Sequence, residues 1–300
     1  MEKRSRLWVN HAEAVVYITL ILVVIGTVNI FSASFVLAGQ MLNDSYYFLK
    51  RHLMMFTIGI MATFFFSRFD YHRLQNWASP LFFITLGLLA AVHFIGVEVN
   101  GARRWLYLGF QFQPSELAKL SALIVTAVYL GPLIDRGRKI TLWSTPFFLS
   151  AALGAVVLKQ PDMGTSVIIV GVCLTLYLIA GLPKGQMLLL FGGGLTGLAY
   201  TAMAAAYRAD RIAAWLNPWA YQQSIGYQTV QGLIAIGSGG FFGTGLGMGA
   251  SKFHYLPEAH TDFAFAVLCQ EWGFIGALTV LFFMGLLGYY GMRVAMKAPD

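Results

Sequence analysis

The 300-residue sequence predicts an all-α, polytopic membrane protein, because it is strongly apolar, contains long uncharged stretches and segregates its basic residues. Hydrophobic residues make up 58% of the chain and charged residues only 11%, and the mean hydropathy is +0.67. Ordinary soluble domains carry about 25% charged residues. The composition therefore argues against a soluble fold and favours a single transmembrane domain over residues 1–300.

Eight apolar segments have about the length of a membrane-spanning helix. They lie at residues 12–32, 50–67, 77–97, 115–134, 144–158, 163–182, 186–206 and 263–292. A long extracytoplasmic loop, 207–262, separates the seventh segment from the eighth. It is too apolar for a disordered tail, so we expect it to fold onto or into the bilayer surface and to form the wall of a site.

The basic residues predict the orientation of the chain. Short loops and tails on one side of the predicted bundle carry 11 of the 20 Lys and Arg residues. Because basic-rich short loops mark the cytoplasmic side, both chain ends are expected inside, and the loops 98–113 and 207–262 outside. The net charge of +7 fits this topology and contact with anionic headgroups. No part of the sequence resembles a nucleic-acid-binding module.

Two motifs place charges at the outer mouths of apolar segments, where a charge is costly and usually faces a cavity or a partner. In QPSELAK (113–119), Glu116 and Lys119 share a helix face, so they either form a structural ion pair or line a cavity. In QPDMGTS (160–166), Asp162 is either the N-cap of the sixth span or a site residue.

The outer loops also contain an arginine pair and a glycine-rich run. Arg103 and Arg104 in NGARRWLYLG (100–109) could bind phosphate oxygens, with contact to lipid headgroups as the alternative. The run at 237–249 lacks the G-x-x-x-x-G-K-[ST] pattern of a phosphate-binding loop. We therefore expect turns or close helix packing there, and no nucleotide cofactor.

The segment YLPEAHTDFAFAV concentrates ionisable groups immediately before the last span. Glu258, His260 and Asp262 alternate along it, and Thr261 or Asp262 could cap the helix that follows. A carboxylate partly withdrawn from water has a raised pKa, while nearby cations lower it, so one of these residues could be poised to accept a proton from an alcohol. The pattern alone does not decide which one.

Taken together, six motifs resemble the SEDS family of bacterial membrane glycosyltransferases, which contains FtsW, RodA and SpoVE. They are FSAS (31–34), NGARRWL (100–106), QPSELAKL (113–120), QPDMGTS (160–166), GYQTVQGLIAIGSGGFFGTGLG (226–247) and YLPEAHTDFAFAV (255–267). The match runs in order along nearly the whole chain and favours the FtsW-like branch. The family usually has ten spans, so eight would leave the last two helices missing. Gln270 departs from the family, which often has two glutamates at 270–271.

The resemblance implies a peptidoglycan glycosyltransferase that polymerises lipid II into β-1,4 glycan strands on the outer face of the bacterial cytoplasmic membrane during cell division. A lipid II flippase, and the elongation or sporulation branch of the same polymerase family, are the alternatives. Asp262 corresponds to the family's essential aspartate and would be the general base. Glu116 and Lys119 match positions that line the central cavity, and Asp162 matches a position with a less settled role.

The leaving group, undecaprenyl pyrophosphate, needs charge stabilisation. The candidate clamps are the outer arginines, with a divalent cation, Mg²⁺ or Mn²⁺, as an open addition. These arginines are Arg103, Arg104, Arg208 and Arg211, and Glu258 and His260 complete the candidate site. The implied partners are lipid II, the undecaprenyl-pyrophosphate-linked glycan strand, a class B penicillin-binding protein that supplies transpeptidation, and other division or elongation proteins.

Overall fold

The computed structural model describes residues 10–99, 101–107, 109, 111–203, 206–250 and 256–298, and most of them are helical. In chain order the elements are α1 (His11–Leu42), α2 (Tyr47–Arg68), a 3₁₀ turn (Tyr71–Arg73), α3 (Leu74–Ile95), β1 (Val97–Val99), β2 (Ala102–Tyr107), β3 (Gln111–Phe112), α4 (Pro114–Asp135), α5 (Thr145–Lys159), α6 (Met163–Ile179), α7 (Lys184–Met203), α8 (Ala206–Leu216), a second 3₁₀ turn (Pro218–Tyr221), α9 (Tyr227–Ser238) and α10 (Ala264–Ala295).

Within the described residues, five helical segments are long and apolar enough to cross a membrane. They are α1, α2, Tyr71–Ile95 (which includes α3), α4 and α10. Helices α5 and α6 are apolar but shorter, with 15 and 17 residues. The mostly helical architecture is confirmed, whereas the count of eight spans stays a prediction.

The all-α prediction is wrong in one respect, because the predicted loop 98–113 contains a small antiparallel sheet. Its strand order is β1-β2-β3. Buried Ala102 and Leu106 in β2 point to the side opposite the exposed Arg103 and Tyr107, which is the period-two alternation of a strand. Gly101 supplies the positive φ of 75° in the turn between β1 and β2.

The chain divides into two compact units, Met1–Ser67 with Ala202–Asp300, and Arg68–Thr201. In the second unit, α4 packs against α3, α5 and α6. The buried residues of that core are Phe82, Leu89, Ala118, Ala122, Leu153, Val157 and Ile169. In the first unit, α10 packs against α1 and α9. The single domain over 1–300 stays a prediction.

Helix α10 is interrupted at Gly273, where φ is 68° and ψ is −164°. In a continuous helix the amides of Phe274 and Ile275 would donate to the carbonyls of Gln270 and Glu271. Instead, these two amides and two carbonyls form hydrogen bonds with the backbone of a loop, residues 240–245. The bonds are Phe274 N to Gly240 O at 3.0 Å, Ile275 N to Phe241 O at 3.3 Å, Thr244 N to Gln270 O at 2.9 Å and Gly245 N to Glu271 O at 3.0 Å.

This break separates an upper half-helix, 264–272, from a lower half-helix, 274–295. The glycine-rich run allows the loop to approach the break closely. A Cβ atom on Gly239 would overlap the carbonyl oxygen of Cys269, and one on Gly243 would overlap that of Glu271. The predicted use of these glycines for turns and close packing is therefore confirmed.

Candidate active site

Residues 256–263 form a compact turn, here called the Asp262 turn, that leads into α10. Leu256 and Ala259 are buried in a hydrophobic cluster, and Phe263 packs beside them. The cluster is completed by Ala33 of α1, Ala235 of α9, and Ala266 and Val267 of α10. Leu256, Ala259 and Phe263 are three and four residues apart, and all of them face this cluster. The carboxylates of Glu258 and Asp262 therefore lie on the exposed side of the turn.

Hydrogen bonds within the Asp262 turn fix its backbone. The carbonyl of Glu258 accepts from the amides of Thr261 and Phe263, both at 3.1 Å. The Thr261 hydroxyl donates to Glu258 Oε2 at 2.7 Å. Glu258 itself has a φ of 53°, in the left-handed region that non-glycine residues seldom adopt. The turn is thus held by its own bonds as well as by its apolar anchors, which favours a fixed orientation of Asp262.

The Asp262 side chain is exposed, and none of the described residues donates a hydrogen bond to its carboxylate. The N-cap of α10 is Phe263, and no side chain caps the helix. The prediction that Thr261 or Asp262 is the cap is therefore wrong. The Thr261 hydroxyl is occupied within the turn, and Asp262 precedes the capping position. Its carboxylate is left available to accept a proton from a bound molecule.

The half-buried His260 connects the Asp262 turn to the start of α2. Its ring lies against Phe48, with ring centroids 4.5 Å apart. Its Nδ1 atom is buried and has no hydrogen-bond partner in the described part of the chain. Arg51 follows Phe48 by three residues, so it lies on the same face of α2 as the His260 contact. Its side chain is exposed.

Phe48 and Arg51 are residues that the sequence analysis missed. The available signal was the basic pair Lys50-Arg51 at the mouth of an apolar segment. Lys50 Nζ donates to Asp44 Oδ2 at 2.9 Å, and this bond holds the pKa of the Asp44 carboxyl below its usual value. Arg51 makes no ion pair with any described residue, so it is the member of the pair left available for a ligand.

The predicted clamps Arg208 and Arg211 lie on α8, in the same unit as the Asp262 turn. Arg211 is exposed, and the described residues offer it no ion-pair partner. The side chain of Arg208 lies outside the part that the structure describes. Both arginines remain predicted ligands.

Glu116 and Lys119 form the predicted ion pair in the first turns of α4. Lys119 Nζ lies 2.8 Å from Glu116 Oε2. The side chains are 31% exposed for Lys119 and 59% for Glu116, so the surrounding helices do not enclose the pair. Their predicted role in lining a cavity stays a prediction.

Asp162 is the N-cap of α6, as one of its two interpretations predicted. Its Oδ1 atom accepts from the Thr165 amide at 3.0 Å, and its Oδ2 atom accepts from the Thr165 hydroxyl at 2.9 Å. Gln113 Nε2 donates to the same Oδ2 at 3.4 Å, which links the start of α4 to the start of α6. The carboxylate is therefore engaged locally, and a further site role stays a prediction.

Arg104 attaches β2 to the end of α5. Its Nε atom donates to the carbonyl of Gln160 at 3.2 Å, and Nη2 donates to that of Pro161 at 2.6 Å. A cation is favourable beside the unsatisfied carbonyls that follow a helix. Arg103 is more exposed and lies 3.6 Å from Glu98. Of these two predicted phosphate ligands, Arg103 is the one whose guanidinium makes fewer and longer contacts with described residues.

A family profile described as cell cycle proteins, FtsW/RodA/SpoVE, matches residues 12–300. The chain belongs to this family. The FtsW/RodA/SpoVE assignment agrees with the apolar helices, and the protein is a multi-pass membrane protein. It also agrees with the resemblance seen in six motifs, which include the Asp262 turn.

Curated relatives of this FtsW/RodA/SpoVE protein carry two kinds of name. It is 39% identical over 294 residues to stage V sporulation protein E of Bacillus subtilis, covering 95% of this chain and 79% of that protein. It is 40% identical to a probable peptidoglycan glycosyltransferase FtsW of Geobacter sp. strain M18, over 95% of this chain and 79% of the relative. A similarly named protein of Trichlorobacter lovleyi is 39% identical over 92% of this chain and 73% of its own length.

Solved structures of similar fold include a chain of a peptidoglycan synthase complex and a rod shape determining protein. The first is part of a complex that coordinates polymerization and crosslinking. Its TM-score is 0.72, and its sequence identity to this chain is 28%. The match covers 97% of this chain and 80% of that one. The rod shape determining protein RodA of Thermus thermophilus has a TM-score of 0.64 and 29% identity, over 95% of this chain and 75% of RodA.

Proposed function

We propose that this FtsW/RodA/SpoVE protein is a peptidoglycan glycosyltransferase that polymerises lipid II into β-1,4-linked glycan strands during cell division. The names of its FtsW relatives support the reaction class. The observation that carries the proposal is the exposed Asp262 carboxylate, which caps no helix and is presented on a fixed turn. An exposed carboxylate without a hydrogen-bond donor among the described residues can accept a proton from a bound substrate, as a general base does.

In this mechanism the Asp262 carboxylate accepts the proton of the acceptor sugar's 4-hydroxyl. The oxygen then attacks the anomeric carbon of the lipid-linked donor strand. The bond between that carbon and the pyrophosphate oxygen breaks, the leaving group takes its electron pair, and the new bond has inverted, β configuration. A positioned general base typically contributes about 10²- to 10⁴-fold to the rate.

Stabilisation of the departing pyrophosphate falls to cationic groups. Arg103, Arg208 and Arg211 are proposed for it, and Arg51 joins them because α2 contacts the Asp262 turn through Phe48. Arg104, Glu116, Lys119, Asp162 and His260 are proposed to shape or support the site.

A divalent cation is a proposed addition to the site. The described residues contain no group of three or more His, Cys, Asp or Glu side chains that would hold a metal by themselves. Mg²⁺ is usually bound by one or two carboxylates together with substrate phosphates. Glu258, exposed beside Asp262, would be such a ligand, and a bound Mg²⁺ or Mn²⁺ would neutralise pyrophosphate charge.

The proposed topology has eight spans and both chain ends in the cytoplasm, with the Asp262 turn on the outer face. A class B penicillin-binding protein is the proposed partner, since the similar chain of known structure belongs to a synthase complex. Transpeptidation by that partner would crosslink the strands that this protein makes.

The test measures glycan polymer from purified lipid II with the full-length protein, with and without its cognate penicillin-binding protein. We expect Asp262→Asn to reduce polymer formation by about 100-fold or more, because the base is lost. Asp135→Asn is the matched control, since Asp135 is an exposed aspartate at the end of α4. Equal polymer from the parent and Asp262→Asn would refute Asp262 as the base. Translocation of lipid II without polymer from the parent would favour a flippase.

A further inference from the structure

Two polar side chains of α1, Asn29 and Ser32, reach the upper half-helix of α10. Asn29 Nδ2 donates to the carbonyl of Ala264 at 2.8 Å. The Ser32 hydroxyl lies 2.8 Å and 2.6 Å from the two carboxylate oxygens of Glu271. Ala264 is the first residue of α10, and Glu271 is the last but one before the break. Both ends of the upper half-helix are therefore attached to the same face of α1.

These bonds do more than satisfy buried polar groups. A helix carbonyl such as that of Ala264 accepts an amide four residues on and still has a second lone pair, so the helix does not need Asn29. The apolar contacts nearby combine small side chains such as Ala33 and Ala266 with larger ones such as Val267. The directional bonds at the two ends add a constraint on the axial position and rotation of the upper half-helix that non-directional apolar contacts do not supply.

Movement of the upper half-helix reaches Asp262 directly. Ala264 is two residues from Asp262, and the Phe263 between them is bonded through its amide to Glu258. The break at Gly273 interrupts the continuous backbone path by which the lower half-helix could guide the turn. On the other side of the break, the attachment to α1 acts together with loop 240–245 and with Ser238 of α9, which also bond to the upper half-helix.

We propose that Asn29 and Ser32 are positioning residues of the transfer reaction, acting through Ala264 and Glu271 to place the Asp262 carboxylate against the acceptor hydroxyl. The inference rests on the proposed function. It gives α1 a role in the reaction that its apolar sequence does not indicate. Errors of about 1 Å in the placement of a catalytic group can cost about 100-fold in rate.

The first test compares Asn29→Leu and Ser32→Ala in the full-length protein by steady-state polymerisation of lipid II. We expect kcat per folded molecule to fall about 10- to 100-fold while KM changes less than about threefold, since binding is retained and orientation is lost. Ser32→Thr keeps the hydroxyl and should restore most of the rate.

Ser34→Ala is the control for the loss of a buried hydroxyl from α1, because Ser34 Oγ is buried without a partner among the described residues. Unchanged kcat in Asn29→Leu and Ser32→Ala would overturn the proposal. An equal loss in Ser34→Ala would overturn it as well, since that loss would be merely structural.

The second test does not need turnover. Hydrogen–deuterium exchange of residues 258–268 should be faster in Asn29→Leu and Ser32→Ala than in the parent, while residues 274–295 and the Ser34→Ala protein stay unchanged. Equal exchange in 258–268 would overturn the inference at any level of activity. A well-folded parent that makes no polymer would refute the proposed function instead, and the exchange comparison would still decide whether these side chains hold the turn.

Discussion

Two aspartates at helix mouths, Asp162 and Asp262, have similar sequence contexts and different structures. Each lies close to a threonine and precedes an apolar run. Asp162 occupies the N-cap position and bonds to Thr165, whereas Asp262 comes one residue before the cap and bonds to no described residue. Sequence patterns locate a helix start only to within about two to four residues. A shift within that margin separates a capping carboxylate from an available one, so the sequence left both interpretations open.

Replacement of Asp162 tests this distinction. Asp162→Ala removes the acceptor for the Thr165 amide and should lower the free energy of unfolding by about 1 kcal/mol, whereas Asp162→Asn still accepts that bond and should lose much less. The melting temperature of the purified protein in detergent measures both. Asp135→Ala, at an exposed position, serves as the control. An equal loss in Asp162→Asn and Asp162→Ala would mean that the charge of Asp162 matters rather than the cap.

Among the elements, α10 differs most from its sequence prediction. The apolar segment 263–292 was correctly predicted as a helix, but nothing in its hydropathy indicates the break at Gly273. The partners that make the break tolerable lie in 240–245, about 30 residues earlier in the chain. Hydropathy also missed the sheet at 97–112, because a six-residue strand is too short to register in a window suited to membrane helices. Both features depend on tertiary contacts.

Replacement of Gly273 should damage α10 at its break. Its φ of 68° with ψ of −164° is a conformation essentially confined to glycine, so Gly273→Ala is expected to destabilise the protein by about 1–3 kcal/mol. A Cβ there would also overlap the amide of Gly243. Gly285→Ala is the control, because the space around Gly285 is open. A melting temperature that falls equally in both variants, or in neither, would contradict this account of the break.

At the scale of the whole molecule, the sequence predicted the apolar helices well and their orientation remains to be measured. Four helices lie between the loop near residue 138 and the segment near residue 222: α5, α6 and α7, which are predicted spans, and α8, which falls almost wholly within the predicted outer loop 207–262. If α5, α6 and α7 each cross the membrane once and α8 does not cross it, these two positions lie on opposite sides. The native thiols, Cys173 and Cys269, are buried and should react little.

Cysteine labelling tests that topology. Gln222→Cys should react with a membrane-impermeant maleimide, because the position is exposed and proposed to be outside. The reagent is added to cells whose cytoplasmic membrane is intact and whose outer layers let it pass. Arg138→Cys, equally exposed, should react only after the membrane is opened. The parent protein gives the background. Labelling of both positions from the same side would show that α5 to α8 cross the membrane an even number of times in total.

The break in α10 also bears on how the protein tolerates its lipid surroundings. The lower half-helix has 22 residues, or about 33 Å of helix, which alone matches a hydrocarbon core of about 30 Å. Helices accommodate bilayers of different thickness by tilting. A tilt of the lower half-helix would change the angle at Gly273, where loop 240–245 bonds to both half-helices, while the upper half-helix keeps its attachment to α1. Local thinning or thickening of the membrane is then expected to displace the Asp262 carboxylate less than it displaces the lower half-helix.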